Sequence, residues 1–396
     1  MQSSAAAVVS SEVNPGLDAD VLVVGAGPTG LTAAVSLALR GIKVTVIDAQ
    51  EAGSNTSRAA VVHAHTLEVL ESIGVSDRMT RRGVHARQFT MRDRDRVLVP
   101  VPFDKLPTRY PYTLMISQAD TEEVLRRRFA ELGGVVRWRH ALQKVEQDEK
   151  GVTATLENGT VVHARYAIGA DGMHSRVREC AGIEFPGDNY TQSFSLADVR
   201  LSGDVPKDEV ILYFSPAGLV VVAPLPDGFH RIVATVDNAP EQPDLAFVQA
   251  LLDARGPEKE RATVHEVLWG SRFRVQHRVA ARYLAGRLLL AGDAAHVHSP
   301  AGGQGMNTGI QDAVALADAV AQAIATNSDA PLEAYEANRR PIAKQVVGIA
   351  DMLTRLATMP RALRPLRNFV MRGLAKLPAF RGRLSWRLSG LVFRST

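Results

Sequence analysis

Asp20 to Asp48 reads DVLVVGAGPTGLTAAVSLALRGIKVTVID, and the rest of the chain is organised around it. Val21 to Val24 is a short apolar run rich in β-branched residues, the composition of a buried parallel strand. Gly25-Ala26-Gly27-Pro28-Thr29-Gly30 follows with GxGxxG spacing. A helix is predicted over Pro28 to Arg40, with Leu31, Ala34, Val35, Ala38 and Leu39 at helical spacing and Gly41 as its stop. Val44, Val46 and Ile47 then form a second strand ending on Asp48. In such a unit Gly25 permits the tight turn, Gly27 lets a pyrophosphate approach the backbone, and Gly30 lets helix and strand pack closely. Amides at the helix N-terminus face the phosphates. Asp48 stands where a carboxylate accepts hydrogen bonds from an adenosine ribose and repels a 2′-phosphate, which suits FAD or NAD better than NADP. A lone GxGxxG says little, but here the strand, the helix and the distant acid accompany it.

At 396 residues the chain exceeds one ordinary core and should divide into about two domains. Its 46% hydrophobic and 22% charged content is that of a soluble globular protein, and no apolar run approaches the length of a membrane span. The single cysteine, Cys180, excludes an internal disulfide and a cysteine-based metal site, in keeping with a reducing, cytoplasmic setting. Met1 to Ala19 is small and polar and reads as a loose tail without the features of a signal peptide. The net charge of +4 hides an asymmetry: from Met352 onward there are ten cations and no acid, which leaves −6 on the remainder. Nothing points to a nucleic-acid partner, and the oligomeric state stays open.

Further along, Thr66 is a plausible N-cap for a helix through Ser72 that stops at Gly74. His63, His65 and His85 lack ligand spacing, so no metal site is expected. Gln88 to Val101 alternates as one or two strands and looks like an excursion out of the nucleotide domain. Ser117 to Leu132 returns to helix, with Ser117 or Asp120 as N-cap. Val135 to Trp138, Ala141 to Gln147, Val152 to Glu157 and Thr160 to His163 read as strands, with Asn158-Gly159 as a hairpin turn.

Two later segments carry chemistry. In Tyr166-Ala167-Ile168-Gly169-Ala170-Asp171-Gly172 a strand runs into an acid and a glycine, and a short helix starts near Ser175. Between Ile183 and Arg274 the pattern becomes strands with turns, over Thr191–Leu201, Glu209–Phe214, Leu219–Leu225 and Arg231–Val236, plus one helix at Leu245–Ala254. This is the expected second domain, a mostly antiparallel sheet. Arg287 to Ala291 is then a buried strand ending in Gly292-Asp293, and Pro300-Ala301-Gly302-Gly303-Gln304-Gly305-Met306-Asn307 enters a long helix over Thr308 to Ala325. The positive end of that helix lies at Gly305 to Asn307, where exposed amides can stabilise an anion.

In order and spacing these three segments resemble the fingerprint of the class A flavoprotein aromatic hydroxylases, the family of para-hydroxybenzoate hydroxylase and the polyketide hydroxylases, over about Asp20 to Ala325. The resemblance implies an α/β fold in which a Rossmann-like FAD-binding domain (20–85, 108–180 and 276–330) is interrupted by a substrate-binding sheet domain (86–107 and 181–275). A basic helical segment (331–396) follows. It implies that Gly25, Gly27, Gly30 and Asp48 serve the adenosine diphosphate, with Arg58 after the first crossover and Gln118 at the ribityl chain. Asp171 and Gly172 would form a motif shared by FAD and the nicotinamide donor. Asp293 would bind near the ribityl and phosphate groups, Pro300 and Gly303 would lie beside the isoalloxazine, and Met306 and Asn307 would present amides to its pyrimidine edge.

The activity so implied consumes NADPH or NADH and dioxygen and hydroxylates an aromatic or polycyclic, polyketide-like substrate through a flavin C4a-hydroperoxide. Water must be excluded, and a phenol must be helped to lose its proton. Tyr213 and His230 fall in the sheet domain and are the candidates for that proton acceptor, each with an alternative as a core tyrosine or a surface histidine. The other enzyme class with a similar flavin domain is the geranylgeranyl-type reductases, and a third reading is a non-catalytic flavin-binding protein. The larger hydroxylases carry a thioredoxin-like C-terminal domain. Here Arg361 to Leu377 is basic, with an apolar stripe at Leu363, Leu366, Phe369, Val370 and Leu374. It suits helices packed on the acidic body, with a peripheral membrane contact or a wall of the substrate channel as alternatives.

Overall fold

The computed structural model, which describes residues 17–51, 59–203 and 205–394, is built on two eight-stranded sheets and a small three-stranded one. β1 (Ala19–Val24) leads through the glycine turn into α1 (Pro28–Leu39), and β2 (Val44–Ile47) returns parallel to β1. Val21, Leu22 and Val23 are wholly buried, as a parallel strand covered on both faces must be.

β3 (Val61–Val62) and α2 (Ala64–Glu71) follow. The helix begins two residues before the expected cap: His63 holds the cap position, and Thr66 is buried inside the helix. Its hydroxyl accepts a hydrogen bond from the Gln311 side-chain amide at 3.0 Å, so a tertiary contact uses the oxygen that would have capped. After α3 (Ser76–Thr80) and β4 (Val84–Ala86), the strands β5 (Gln88–Asp93) and β6 (Arg96–Pro102) leave for the second large sheet. β7 (Thr113–Met115) pairs with β3 and β4. α4 (Gln118–Glu131) is capped by Ser117, whose hydroxyl accepts from the Asp120 amide at 3.0 Å.

β8 (Val136–Arg137) extends the first sheet beyond β2, and β9 (Leu142–Gln147), β10 (Val152–Leu156) and β11 (Val161–Gly169) form a meander. β11 is one continuous strand, longer than the run from Thr160 to His163. Its first half pairs antiparallel with β10, and its second half lies parallel to β1. α5 (Arg176–Cys180) closes this part.

The second sheet consists of β12 (Gly187–Ser202), β13 (Glu209–Ser215), β14 (Gly218–Pro224), β15 (Phe229–Val236) and, after α6 (Leu245–Arg255), β16 (Thr263–Val279), joined by β5 and β6. The 17-residue β16 has no counterpart among the predicted strands. Trp269 pairs with Asp198 and Val267 with Val199, so Leu268 bulges out and breaks the alternation that would have announced the strand.

The chain then returns to the first sheet with β17 (Leu284–Ala285) and β18 (Leu288–Leu290), which runs parallel to Ala167–Gly169 of β11. β19 (His296–Val297) hangs on the end of β16, and α7 (Gly305–Thr326), α8 (Ala330–Ala357), α9 (Arg364–Ala375) and α10 (Pro378–Leu388) complete the fold.

Residues directly opposite in a sheet share a face, which sorts the second sheet into two sides. Ile211, Tyr213, Val222 and Ile232 pack under Val248, Leu251 and Leu252 of α6. Val210, Phe214, Leu219 and Ala223 lie on the other side with Phe89, Met115 of the small sheet, Ala357 and Leu388.

Candidate functional site

The three glycines of the first turn answer to different neighbours. Gly25 has φ +102°, and a Cβ there would lie 2.3 Å from the Ala170 carbonyl oxygen; a Cβ on Gly30 would lie 1.9 Å from the Gly25 oxygen. Both are demanded by the chain itself. A Cβ on Gly27 would meet nothing within 4 Å, so this glycine borders open space beside the N-terminus of α1, where the Thr29 and Gly30 amides precede the first intrahelical bond, Leu31 N to Gly27 O. An open cradle edged by a helix N-terminus fits a pyrophosphate.

Asp48 braces this turn. Its Oδ2 accepts from the Ala26 amide at 2.7 Å and its Oδ1 from the Gln50 amide at 2.8 Å, so a ribose would share oxygens already engaged by backbone. Gln118 accepts from the Ala59 amide at 3.2 Å and donates to Glu122 Oε1 at 2.9 Å. Burial pushes the Glu122 carboxyl up to about 7, opposed by the Gln118 bond and reinforced by the charge of Asp48. The position of Glu122 one helical turn beyond Gln118 is the sequence signal that ties it to this region. Arg58 lies outside the described residues.

Asp171 serves its own helix first. Its Oδ2 accepts from the amides of Arg176 at 2.7 Å and Val177 at 3.2 Å, beside Ser175, whose hydroxyl accepts from the Arg178 amide at 3.0 Å. Burial raises the Asp171 carboxyl, and those hydrogen bonds oppose the rise. Gly172, at φ +77°, borders open space as Gly27 does. Since Gly25 abuts Ala170 and the Asp171 Cα, the Asp-Gly turn and the glycine turn are packed together.

The third segment meets the first through Thr29. A Cβ on Gly292 or on Gly309 would lie 2.5 or 2.4 Å from Thr29 Oγ1, so one small hydroxyl fills the seam between α1, the turn holding Asp293 and the second turn of α7. Asp293 is exposed on that turn, and Pro300 is exposed at the start of the next loop. Gly302 and Gly303 take positive φ of 86° and 63°, bringing the loop around to α7. The helix starts at Gly305, three residues earlier than expected, which puts Met306 and Asn307 in its first turn. Thr308 N to Gln304 O is the first bond of the helix, leaving the amides of Gly305, Met306 and Asn307 for an acceptor outside it.

Asn307 fixes this first turn. Its Nδ2 donates to Val61 O at 2.9 Å and Gly303 O at 2.7 Å, and its Oδ1 accepts from the His63 amide at 2.8 Å. The His63 ring is wholly buried and its Nε2 lies 2.9 Å from Gly302 O. Burial lowers its pKa to about 4 against the Gly302 bond, so the ring is neutral and Nε2 donates. Sequence spacing gave no hint of this role, because its partners lie 239 and 244 residues away.

Behind the loop stands a buried polar triad. Asp312 accepts from His296 Nε2 at 2.6 Å and from Arg339 Nε at 2.7 Å, linking β19, α7 and α8. Burial alone would raise the Asp312 carboxyl; Arg339 and then His296 hold it below its ordinary value. Tyr213 and His230 do not join this assembly. Tyr213 belongs to the core under α6, and His230, opposite Val199, shares that side. Burial lowers the His230 pKa, opposed by the Pro206 backbone. The inner side instead carries Arg231, opposite Ala223, whose Nε and Nη2 donate to the two oxygens of Asp198 at 2.7 Å each. This pair is a fixed polar feature of that side. Among the described residues no group of His, Cys, Asp or Glu is arranged to hold a metal.

The family model described as FAD binding domain matches residues 18–350. The 6-methylpretetramide 4-monooxygenase of Streptomyces rimosus is 39% identical over 371 residues, 91% of this chain and 66% of that protein. The pentachlorophenol 4-monooxygenase of Sphingobium chlorophenolicum is 36% identical over 341 residues, 83% of this chain and 63% of that protein. Among solved structures, the anhydrotetracycline hydroxylase OxyS from Streptomyces rimosus superposes with a TM-score of 0.77 at 34% identity, covering 94% of this chain and 76% of that one. The chain thus spans about two thirds of the length of the curated relatives it matches.

Proposed function

We propose, for a chain that belongs to the FAD binding domain family of class A flavoprotein monooxygenases, that it binds FAD and hydroxylates an aromatic or polycyclic substrate at the expense of NADPH or NADH and dioxygen. The observation that carries this reading is the seam at Thr29, which joins the open glycine cradle of α1 to the free amides of α7. Gly25, Gly27, Gly30 and Asp48 would hold the adenosine diphosphate, together with Arg58 and Gln118. Asp171, Gly172 and Asp293 would line the middle of the cofactor, and Pro300, Gly303, Met306 and Asn307 its ring end. Bound there, the flavin supplies hydride acceptance and oxygen activation.

The chain's own residues do the rest. The α7 amides stabilise negative charge at the ring edge, an arrangement worth most where water is excluded. Asn307 and neutral His63 keep those amides aimed. The inner wall of the second sheet, with Phe89, Phe214 and Leu219, keeps water from the reacting atoms, and Arg231 with Asp198 offers polar contacts to a substrate hydroxyl or carbonyl. The division into FAD-binding (20–85, 108–180, 276–330), substrate-binding (86–107, 181–275) and C-terminal (331–396) parts belongs to this reading, as does a cytoplasmic location. The monooxygenase names of the relatives favour oxygen insertion over double-bond reduction.

The test is to mix the purified protein and FAD with NADPH or NADH in air, with and without phenols and polycyclic phenols, and follow nicotinamide oxidation and product mass. A gain of one oxygen is expected. Saturation of a double bond, or no turnover by a protein that refuses FAD, overturns the reading.

A further inference from the structure

α9 turns two polar side chains inward, beside Met371 and Ala375, which pack on the core beneath. Arg367 and Asn368 are buried: Arg367 donates to Leu356 O at 2.7 Å and Phe214 O at 2.9 Å, and Asn368 donates to Asp93 at 2.8 Å and Phe214 O at 3.2 Å. Arg364, at the start of the helix, bonds to Met359 O and Pro216 O. These bonds lock the rotation of the helix, because turning it would strand buried donors. An outward face of the helix is apolar and in water: Leu366, Phe369, Val370 and Leu374, with Leu363 and Leu377 just beyond its ends, are 40–74% exposed, Phe369 the most. A run of large apolar side chains on one helix face, held outward by the fold, marks a surface that meets something.

What it meets is indicated by charge. Arg372 and Lys376 follow one edge of the stripe, and Arg361, Arg383 and Arg387 lie on the segments flanking it. None of these five has an acidic partner among the described residues, and residues 352–396 contain no acid at all. A second copy docked face to face would oppose cations to cations. We propose that α9 is an in-plane anchor for an anionic phospholipid surface, its apolar stripe entering the headgroup region and the flanking cations pairing with lipid phosphates. No helix among the described residues is long or apolar enough to cross a membrane, so the contact is peripheral.

The test uses the full chain with FAD and vesicles of pure phosphatidylcholine or of phosphatidylcholine with phosphatidylglycerol, in a sedimentation assay. Binding is expected to the anionic vesicles only, to weaken at least tenfold between low and high salt, and to fall at least tenfold in L366D/F369D and several-fold in R372Q/K376Q. Both variants should keep the melting temperature and FAD affinity of the parent, since neither touches Arg367 or Asn368. Absence of binding by the intact protein overturns the proposal, as does equal binding by L366D/F369D. A stable dimer in light scattering that L366D/F369D converts to monomer would assign the stripe to a second copy and likewise overturn it. These readouts do not depend on turnover, so their failure is distinct from failure of the hydroxylase reading.

Discussion

The amide of His63 donates to Oδ1 of Asn307 at 2.8 Å across 244 residues of sequence, and this bond ties the small sheet to the first turn of α7. It shares Asn307 with two carbonyls, so both amide hydrogens and one lone pair of the oxygen are engaged. Asn307→Ala should cost about 3 kcal/mol, from one buried amide and two carbonyls left without partners. Asn307→Asp keeps the acceptor for His63 but turns a second acceptor oxygen onto the Val61 and Gly303 carbonyls in a buried site, and should cost at least as much. Urea unfolding of both variants measures these losses, and a stability near that of the parent in either would show that the three bonds carry no weight.

Gly27 and Gly25 separate cofactor binding from folding. Gly27→Ala adds a Cβ that meets no protein atom within 4 Å, so the melting temperature should stay near that of the parent while FAD affinity falls about a hundredfold, roughly 2.7 kcal/mol. Gly25→Ala strains a backbone at φ +102° against Ala170 and should lower the melting temperature itself. Flavin fluorescence titration beside a thermal melt distinguishes the two.

Asp312→Ala leaves buried Arg339 unpaired and should destabilise by about 3–5 kcal/mol. Because the folded-state Asp312 pKa is lowered, its contribution is complete above the ordinary carboxylate pKa and is lost as pH falls through the lower folded value. Acid unfolding followed by far-UV dichroism should therefore be steeper at its acid end in the parent than in Asp312→Ala.

His63 acts in a different window. The unfolded chain protonates it near pH 6.5 and the folded chain near 4, so its contribution is whole above pH 6.5 and falls toward pH 4, by roughly 3 kcal/mol in all. Glu122, raised to about 7, has the opposite sign: stability declines as pH rises from its unfolded value through 7. The two slopes partly cancel in the parent. Unfolding free energies at pH 5 and 7 should show the parent losing more on acidification than His63→Gln, and less than Glu122→Gln.

Tyr213 and His230 face α6, so Tyr213→Phe and His230→Ala should leave the pH dependence of kcat unmoved. A shifted acid limb in either variant would place a proton acceptor on a side of the sheet where the structure puts only core.

The nucleotide half of the fold is legible because its rules are local. A β-branched run, three glycines and an acid lie within 29 residues, each with a backbone reason of its own. The second sheet was legible as a class, but a bulge at Leu268 hid its longest strand. Which side of that sheet Tyr213 and His230 would face also escaped, since alternation along a strand sets parity but not which side a distant helix will cover. His63 and Asp312 were invisible for a related reason: their neighbours arrive from other segments, and a buried polar residue is recognised only by its partners.

The place of β18 in the first sheet governs how the molecule is assembled as it leaves the ribosome. Between the end of β11 at Gly169 and the start of β18 at Leu288 lie 118 residues that include most of the second sheet. Until β18 is made, β11 presents an unpaired parallel edge of buried-type residues, the kind that captures strands from other nascent chains. Neither half can therefore mature as an independent unit, and a translation product that stops short of Leu290 should partition to aggregates or chaperones.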